Sequence, residues 1–311
     1  MADRSYRRWR GAVLALLAVG LVGCGRNVSA APPPSSPSPA APSPTAGTPP
    51  ASLAPAPRSA VPDGPLRVLQ LNLCNSGIAG CYTGRSVAEG AALLRAEAPD
   101  LATLNEICEN DVAVLERALA DAVPGGAVTA AFQPHRNGRT GEDYRCRNGQ
   151  RFGLGLLSRW PAGAGSATEA GVYPVQDEED PEQRVWLCRR FTTAAGQEPD
   201  AGVALCTTHL AYTKREVARA QCQHLFGAVV PGLRSREGAF PTVVSGDLNL
   251  GPGDNPDFRA CLPAGSALVD DGGQQRVVGT SELVVTGTRR IALRQTDHVG
   301  LLVTLTGRDE S

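Results

Sequence analysis

Between residues 66 and 306 one arrangement recurs: a strand-length apolar run with a cation-binding or proton-moving side chain at one end. Residues 66–73 (LRVLQLNL) carry Asn72, and residues 100–107 close on Leu104-Asn105-Glu106. Residues 203–209 end at His209, residues 241–245 lead into Gly246-Asp247-Leu248-Asn249, and Asp297-His298 open the run 298–306. Apolar runs of four to eight β-favouring residues bounded by turn signals predict buried strands. Strand packing would hold those polar ends rigidly, so that they can converge in one cleft.

Helical spacing alternates with these runs. Apolar positions predict helices over 86–98, 111–122 and 214–229, and further strands over 152–158, 184–192 and 282–286. Adjacent strand pairs mixed with helices predict an α+β fold of packed layers rather than a strict βαβ series.

The segment before residue 65 reads differently. Arg4, Arg7, Arg8 and Arg10 precede a short apolar run that ends in Leu21-Val22-Gly23-Cys24. That run is short for a bilayer span, which needs about 20 apolar residues, and suits an export signal. Its end resembles the lipobox of bacterial lipoproteins, which makes residues 1–24 a signal with Cys24 as the lipidation site. Residues 25–64 are rich in Pro, Ser and Ala and poor in large apolar side chains, so they are expected to remain a disordered tether. Residues 65–311 then form one domain, expected to act as a monomer outside the cell and to meet the membrane only through the lipid.

Six of the 30 Lys and Arg and two of the 31 Asp and Glu precede residue 65, which leaves the domain a net charge near −5. A general basic coat for nucleic acid is therefore absent. The nine cysteines leave eight once Cys24 is assigned to lipid, an even number suited to an oxidising compartment. Cys74 and Cys81 flank a short glycine-containing loop, and Cys188 and Cys206 lie on adjacent strand-like runs. Cys222 with Cys261 and Cys108 with Cys146 complete the expected set. A zinc site would need closer paired spacings.

In order and placement these motifs resemble the endonuclease/exonuclease/phosphatase family, the DNase I-like enzymes, over about residues 66–306. The resemblance implies a two-sheet α/β sandwich with the site at one sheet edge, and a phosphoesterase dependent on Mg2+, or on Mn2+ or Ca2+. It implies Glu106, Asn72 and Asp297 as metal residues, and Asp247 and Asn249 as the pair that orients water and phosphate. His298 becomes the base candidate and His209 the acid candidate. Tyr173 matches a phosphate-contacting tyrosine, and Glu182 a glutamate that orients the catalytic histidine. The aspartate that usually steadies the last histidine has no clear equivalent, with Asp271 and Glu282 as possible substitutes. His135 and His224 are expected to have surface or packing roles. The loop 135–151 carries five arginines, and Arg145 and Arg147 are candidates to grip a phosphate backbone. Extracellular DNA or RNA is the expected substrate. The alternatives are a lipid or small phosphoester, as in the sphingomyelinases, and a surface binder without catalysis.

Overall fold

The structure is a computed structural model that describes residues 64–123, 127–193, 201–255 and 257–308. The signal, Cys24 and nearly all of the tether lie outside the described residues. Among those described, no helix is long and apolar enough to cross a membrane.

The described strands are β1 (Leu66–Asn72), β2 (Leu101–Cys108), β3 (Thr129–Pro134), β4 (Arg136–Asn137), β5 (Phe152–Ser158), β6 (Glu169–Val172) and β7 (Glu182–Gln183). They continue with β8 (Val185–Thr192), β9 (Gly202–His209), β10 (Thr242–Asp247), β11 (Ala267–Asp270), β12 (Gln275–Gly279), β13 (Leu283–Ile291) and β14 (Gly300–Gly307). Helices α1 (Ser86–Glu97) and α2 (Glu109–Asp121) follow β1 and β2, and α3 (Arg215–His224) and α4 (Val230–Glu237) lie between β9 and β10.

Two six-stranded sheets result, in the orders β13-β14-β1-β2-β5-β3 and β11-β12-β10-β9-β8-β6. Each has a parallel pair at its centre, β1 with β2 and β9 with β10. This is the expected two-sheet sandwich.

Strand alternation sorts the side chains into layers. On β1, Leu66 and Val68 face the other sheet while Leu69 and Leu71 pack under the first helix pair. On β9, Val203 and Leu205 face inward, and Ala204 and Cys206 pack beneath the second helical segment. The inward face then changes character along each strand. Leu66 and Val68 give way to Gln70 and Asn72, Leu101 to Thr103 and Asn105, Val203 and Leu205 to Thr207 and His209, and Val243 to Ser245 and Asp247. Hydrogen bonds join this polar layer across the sheets: Asn105 Nδ2 donates to the Thr208 carbonyl at 3.1 Å and Thr103 Oγ1 to Ser245 Oγ at 2.9 Å. Buried polar groups need such partners to avoid a penalty of about 1–3 kcal/mol each. Apolar packing thus fills one end of the sandwich, and the other is wired for chemistry.

The expected helix over 214–229 runs further. Pro231, without an N–H to give the ladder, lies in the first turn of α4, and a π-turn over Leu225–Val229 precedes it. The helix expected from Asp111 starts earlier, at Glu109, because Asp111 reaches back to the Cys108 N–H at 2.7 Å. All four expected disulfides form: Cys74–Cys81, Cys108–Cys146, Cys188–Cys206 and Cys222–Cys261.

Candidate functional site

The ends of both parallel pairs meet in one place. On β9 and β10, His209 and Asp247 are direct register partners, as Asn72 and Asn105 are on β1 and β2. Gly246 makes the β9–β10 approach possible, since a Cβ there would lie 2.0 Å from the Thr208 carbonyl oxygen.

Glu106 reaches the site through a defect in its strand. The register of β2 against β5 shifts between Leu104 and Ile107, and Glu106 takes a φ of +54°. A bulge of this kind re-aims one side chain at a local conformational cost. Asn249 also has positive φ, at +49°, in the turn that follows β10. Its N–H donates to Asp247 Oδ1 at 3.1 Å and its Nδ2 to the Leu210 carbonyl at 2.9 Å.

A cleft of about 660 Å³ opens over these residues. Glu106, Glu182, His209, Asp247, Asn249, Asp297 and His298 all line it. Asn72 lies beneath, its Nδ2 donating to Glu106 at 2.8 Å and to Asp247 at 3.1 Å. Its Oδ1 accepts from the Cys74 N–H at 3.1 Å. Expected as a metal residue, Asn72 instead turns its amino group to the carboxylates and spends its oxygen on the backbone. In this arrangement it ties the two acids together.

Burial, reinforced by Glu182 and Asp247 and partly offset by Asn72, raises the Glu106 carboxyl to about 7. Burial also raises Asp247, against the opposing pull of His298 and Asn72. Carboxylate oxygens with this unrelieved charge suit a hard divalent cation. Glu106 and Asp297, the carboxylates expected to hold it, both line the cleft beside Asp247. The Cys74 and Cys81 sulfurs also lie within 4.8 Å of a Glu106 oxygen, but their disulfide leaves no thiolate to ligate.

His298 lies 3.7 Å from Asp247 Oδ2 and 3.5 Å from Asp297 Oδ1. Neither proposed substitute for the missing aspartate touches it. Glu282 pairs with Arg234, and Asp271 accepts from Gly273 and Gln275 around its own turn. His209 is buried, and desolvation, helped by the Arg184 charge and resisted by Glu182, keeps its imidazole neutral well below the usual range.

Glu182 lines the cleft, but its partners differ from those expected. His135 Nδ1 lies 2.8 Å and Arg184 Nη1 2.9 Å from its Oε1. Burial pushes this carboxyl up, yet Arg184 and His135 outweigh it and hold it well below the usual range. His135, given a surface or packing role from the sequence, is fully buried, with its ring 6.3 Å from that of His209. The sequence signal that could have found it is its place directly after Phe132-Gln133-Pro134, an edge strand feeding the cleft wall.

Tyr173 does not line the cleft. Its buried hydroxyl donates to Thr208 Oγ1 at 2.9 Å, and its ring packs against His224, so no phosphate can reach it. The tyrosines that do line the cleft are Tyr144 and Tyr212. Arg145 and Arg147 are exposed and outside the lining; Arg145 bonds the Gly149 carbonyl, and the Arg147 N–H bonds Ser76 O in the cleft-rim loop.

A family profile described as the endonuclease/exonuclease/phosphatase family matches residues 91–299. No curated protein sequence matches the chain. Among solved structures, an endonuclease/exonuclease/phosphatase from Beutenbergia cavernae aligns at 20% identity and TM-score 0.55, over 78% of this chain and 72% of that one. The human Nocturnin catalytic domain with bound sulfate aligns at 15% identity and TM-score 0.55, over 78% and 94%. A mannosyl-6-phosphatase from Bacteroides thetaiotaomicron aligns at 13% identity and TM-score 0.51, over 78% and 99%. At these identities the likeness is one of fold, and it spans neighbours with different substrates.

Proposed function

The chain belongs to the endonuclease/exonuclease/phosphatase family, and from that premise we propose that it is a divalent-metal-dependent phosphodiesterase acting on nucleic acid outside the cytoplasm. The observation that carries the chemistry is the meeting of Asp247, Asn249, His209, His298 and Glu106 in one cleft, drawn from both sheets.

Each residue has a task that follows from its surroundings. Asp247 and His298, 3.7 Å apart, form an acid–imidazole pair on which an attacking water can lose its proton. The carboxylate orients the ring and stabilises the imidazolium that results. Asn249 spends one amide N–H on Leu210 and keeps the other for a phosphate oxygen. His209, held neutral, offers an N–H to the phosphate rather than a positive charge, which refines its expected role as the acid. A cation bound at Glu106 would neutralise phosphate charge and acidify the attacking water. Arg184, anchored by Asp180 and Glu182, supplies a fixed positive charge in the wall.

The extracellular setting rests on the signal-like start, the lipobox-like Cys24, and four disulfides that use every remaining cysteine. The anchor would give stable membrane attachment only with more than one acyl chain.

The test incubates the oxidised full chain with double-stranded DNA, single-stranded DNA, RNA, sphingomyelin and a simple phosphate bis-ester, with Mg2+ or with EDTA. Mg2+-dependent cleavage of nucleic acid that falls by about 10²–10⁴-fold in His209→Ala supports the proposal. Turnover of lipid or small esters alone replaces the substrate, and no turnover by a folded protein removes the enzymatic reading.

A further inference from the structure

Tyr212 is the most exposed of the large apolar side chains among the described residues, at 64%, and it lines the catalytic cleft. A single exposed ring is ordinary on a protein surface. What sets this one apart is how firmly it is mounted. The Ala211 N–H before it donates to the buried Gln221 side chain at 2.9 Å. After it, the Thr213 hydroxyl and Lys214 Nζ both bond Asp177, the latter at 2.7 Å, and Lys214 also pairs with Glu179 at 3.1 Å. Lys214 is the only lysine in the chain. The residues on both sides of Tyr212 are thus tied down, Ala211 by its backbone and Thr213 and Lys214 by their side chains, while the ring is left in water.

One face of that ring is already engaged. The Arg184 guanidinium carbon lies 5.5 Å from its centroid, and Arg184 is itself fixed by Asp180 and Glu182. A second exposed apolar side chain of the cleft, Ile78 at 54%, stands on the loop closed by the Cys74–Cys81 disulfide. A rigid aromatic ring backed by a cation and facing a reaction cleft is a stacking platform, with little ordering entropy left to lose. A lipid chain would need a continuous apolar surface, whereas this ring shares its wall with Asp180 and Arg184.

We infer that Tyr212 stacks on the nucleobase next to the scissile phosphate, which makes single-stranded nucleic acid the substrate class of this site. A base inside a duplex has both faces covered by its neighbours and cannot lie on the ring, whereas an unstacked base can. This rests on the nucleic-acid reading above and adds to it a strand preference and a residue that sets it.

The test uses the oxidised full chain with Mg2+ and two single-stranded oligonucleotides, one with all its bases and one abasic around the cleaved bond. Wild type, Tyr212→Ala and Tyr212→Phe are compared on both, with thermal melting as the folding control. The expected result is a base-over-abasic preference in kcat/KM that falls at least about fivefold in Tyr212→Ala. The loss should be carried by KM, and Tyr212→Phe should retain the preference. Wild type should also cleave single strands faster than the matching duplex. Nucleic-acid cleavage with the same base-over-abasic ratio in wild type and Tyr212→Ala overturns the platform and leaves the nuclease reading standing. A wild type that cleaves no oligonucleotide but hydrolyses another phosphoester overturns both.

Discussion

Asn72 and Asp247 come from different sheets, and the Asn72 amino group spans the gap, donating to Asp247 at 3.1 Å and to Glu106 at 2.8 Å. One neutral side chain thus spaces two buried acids. Asn72→Ala should leave both without that donor, at a cost of about 1–3 kcal/mol in stability. Activity should fall by at least about tenfold as the acids reposition. Urea denaturation together with kcat measurements checks both, and an active variant with wild-type stability would remove the tie.

The raised Glu106 carboxyl gives the metal-free protein a pH signature. Its folded value of about 7 lies above the ordinary glutamate value, so the native state holds this proton more tightly than the unfolded chain does. The group's contribution to stability is therefore fully present below about pH 4.5 and is lost as pH rises through 7. In EDTA, the gap in melting temperature between Glu106→Gln and wild type should widen in the variant's favour from pH 5.5 to pH 8. Added Mg2+ should stabilise wild type most at the higher pH, and at pH 5.5 its binding should release a proton.

His135 Nδ1 lies 2.8 Å from Glu182 Oε1 in the buried wall of the cleft. His135→Leu should destabilise the fold by about 2 kcal/mol, because a buried carboxylate loses a partner. His135→Gln, which restores an N–H, should recover part of that loss. Equilibrium denaturation of the two variants decides it, and equal stability of His135→Leu and wild type would show the contact to be idle.

Two disulfides should separate by function. Removing Cys74–Cys81, which closes the loop bearing Ile78, should raise KM and cost about 2–3 kcal/mol. Removing Cys222–Cys261, whose partners are 39 residues apart, should cost about 4 kcal/mol and leave KM near wild type. Melting curves and steady-state kinetics on paired Cys→Ala variants distinguish them.

The sandwich was legible because inward and outward positions alternate in β1, β2, β9 and β10, and the polar end of each run stands out against its apolar start. Strands without such a run were not. β12 opens on Gln275 and Arg276, which look like surface residues yet are fully buried. Gln275 reaches the Val299 carbonyl, and Arg276 reaches the Leu250 and Gly273 carbonyls. β3 is an edge strand of only intermediate burial, too mixed to announce itself. Within the site, the residues on central strands could be placed from sequence, but partner choice could not. Glu182 pairs with His135, 47 positions earlier in the chain, through a fold contact that no local spacing encodes. Tyr173 and Tyr212 exchange prominence for a similar reason. Strand β6 delivers Tyr173 into the helix-side core, while the loop after His209 carries Tyr212 out to the cleft.

The lengthwise grading of the inter-sheet face, leucine and valine at one end and amide, hydroxyl and acid at the other, divides labour within single strands. Mutations toward the Leu66, Leu101, Val203 and Val243 ends draw on the reserve that keeps the protein folded, while those toward Asn72, Glu106, His209 and Asp247 draw on catalytic competence. A lineage built on this plan can retool its chemistry by exchanging residues over the last two or three positions of a strand, with the anchoring half of the same strand untouched.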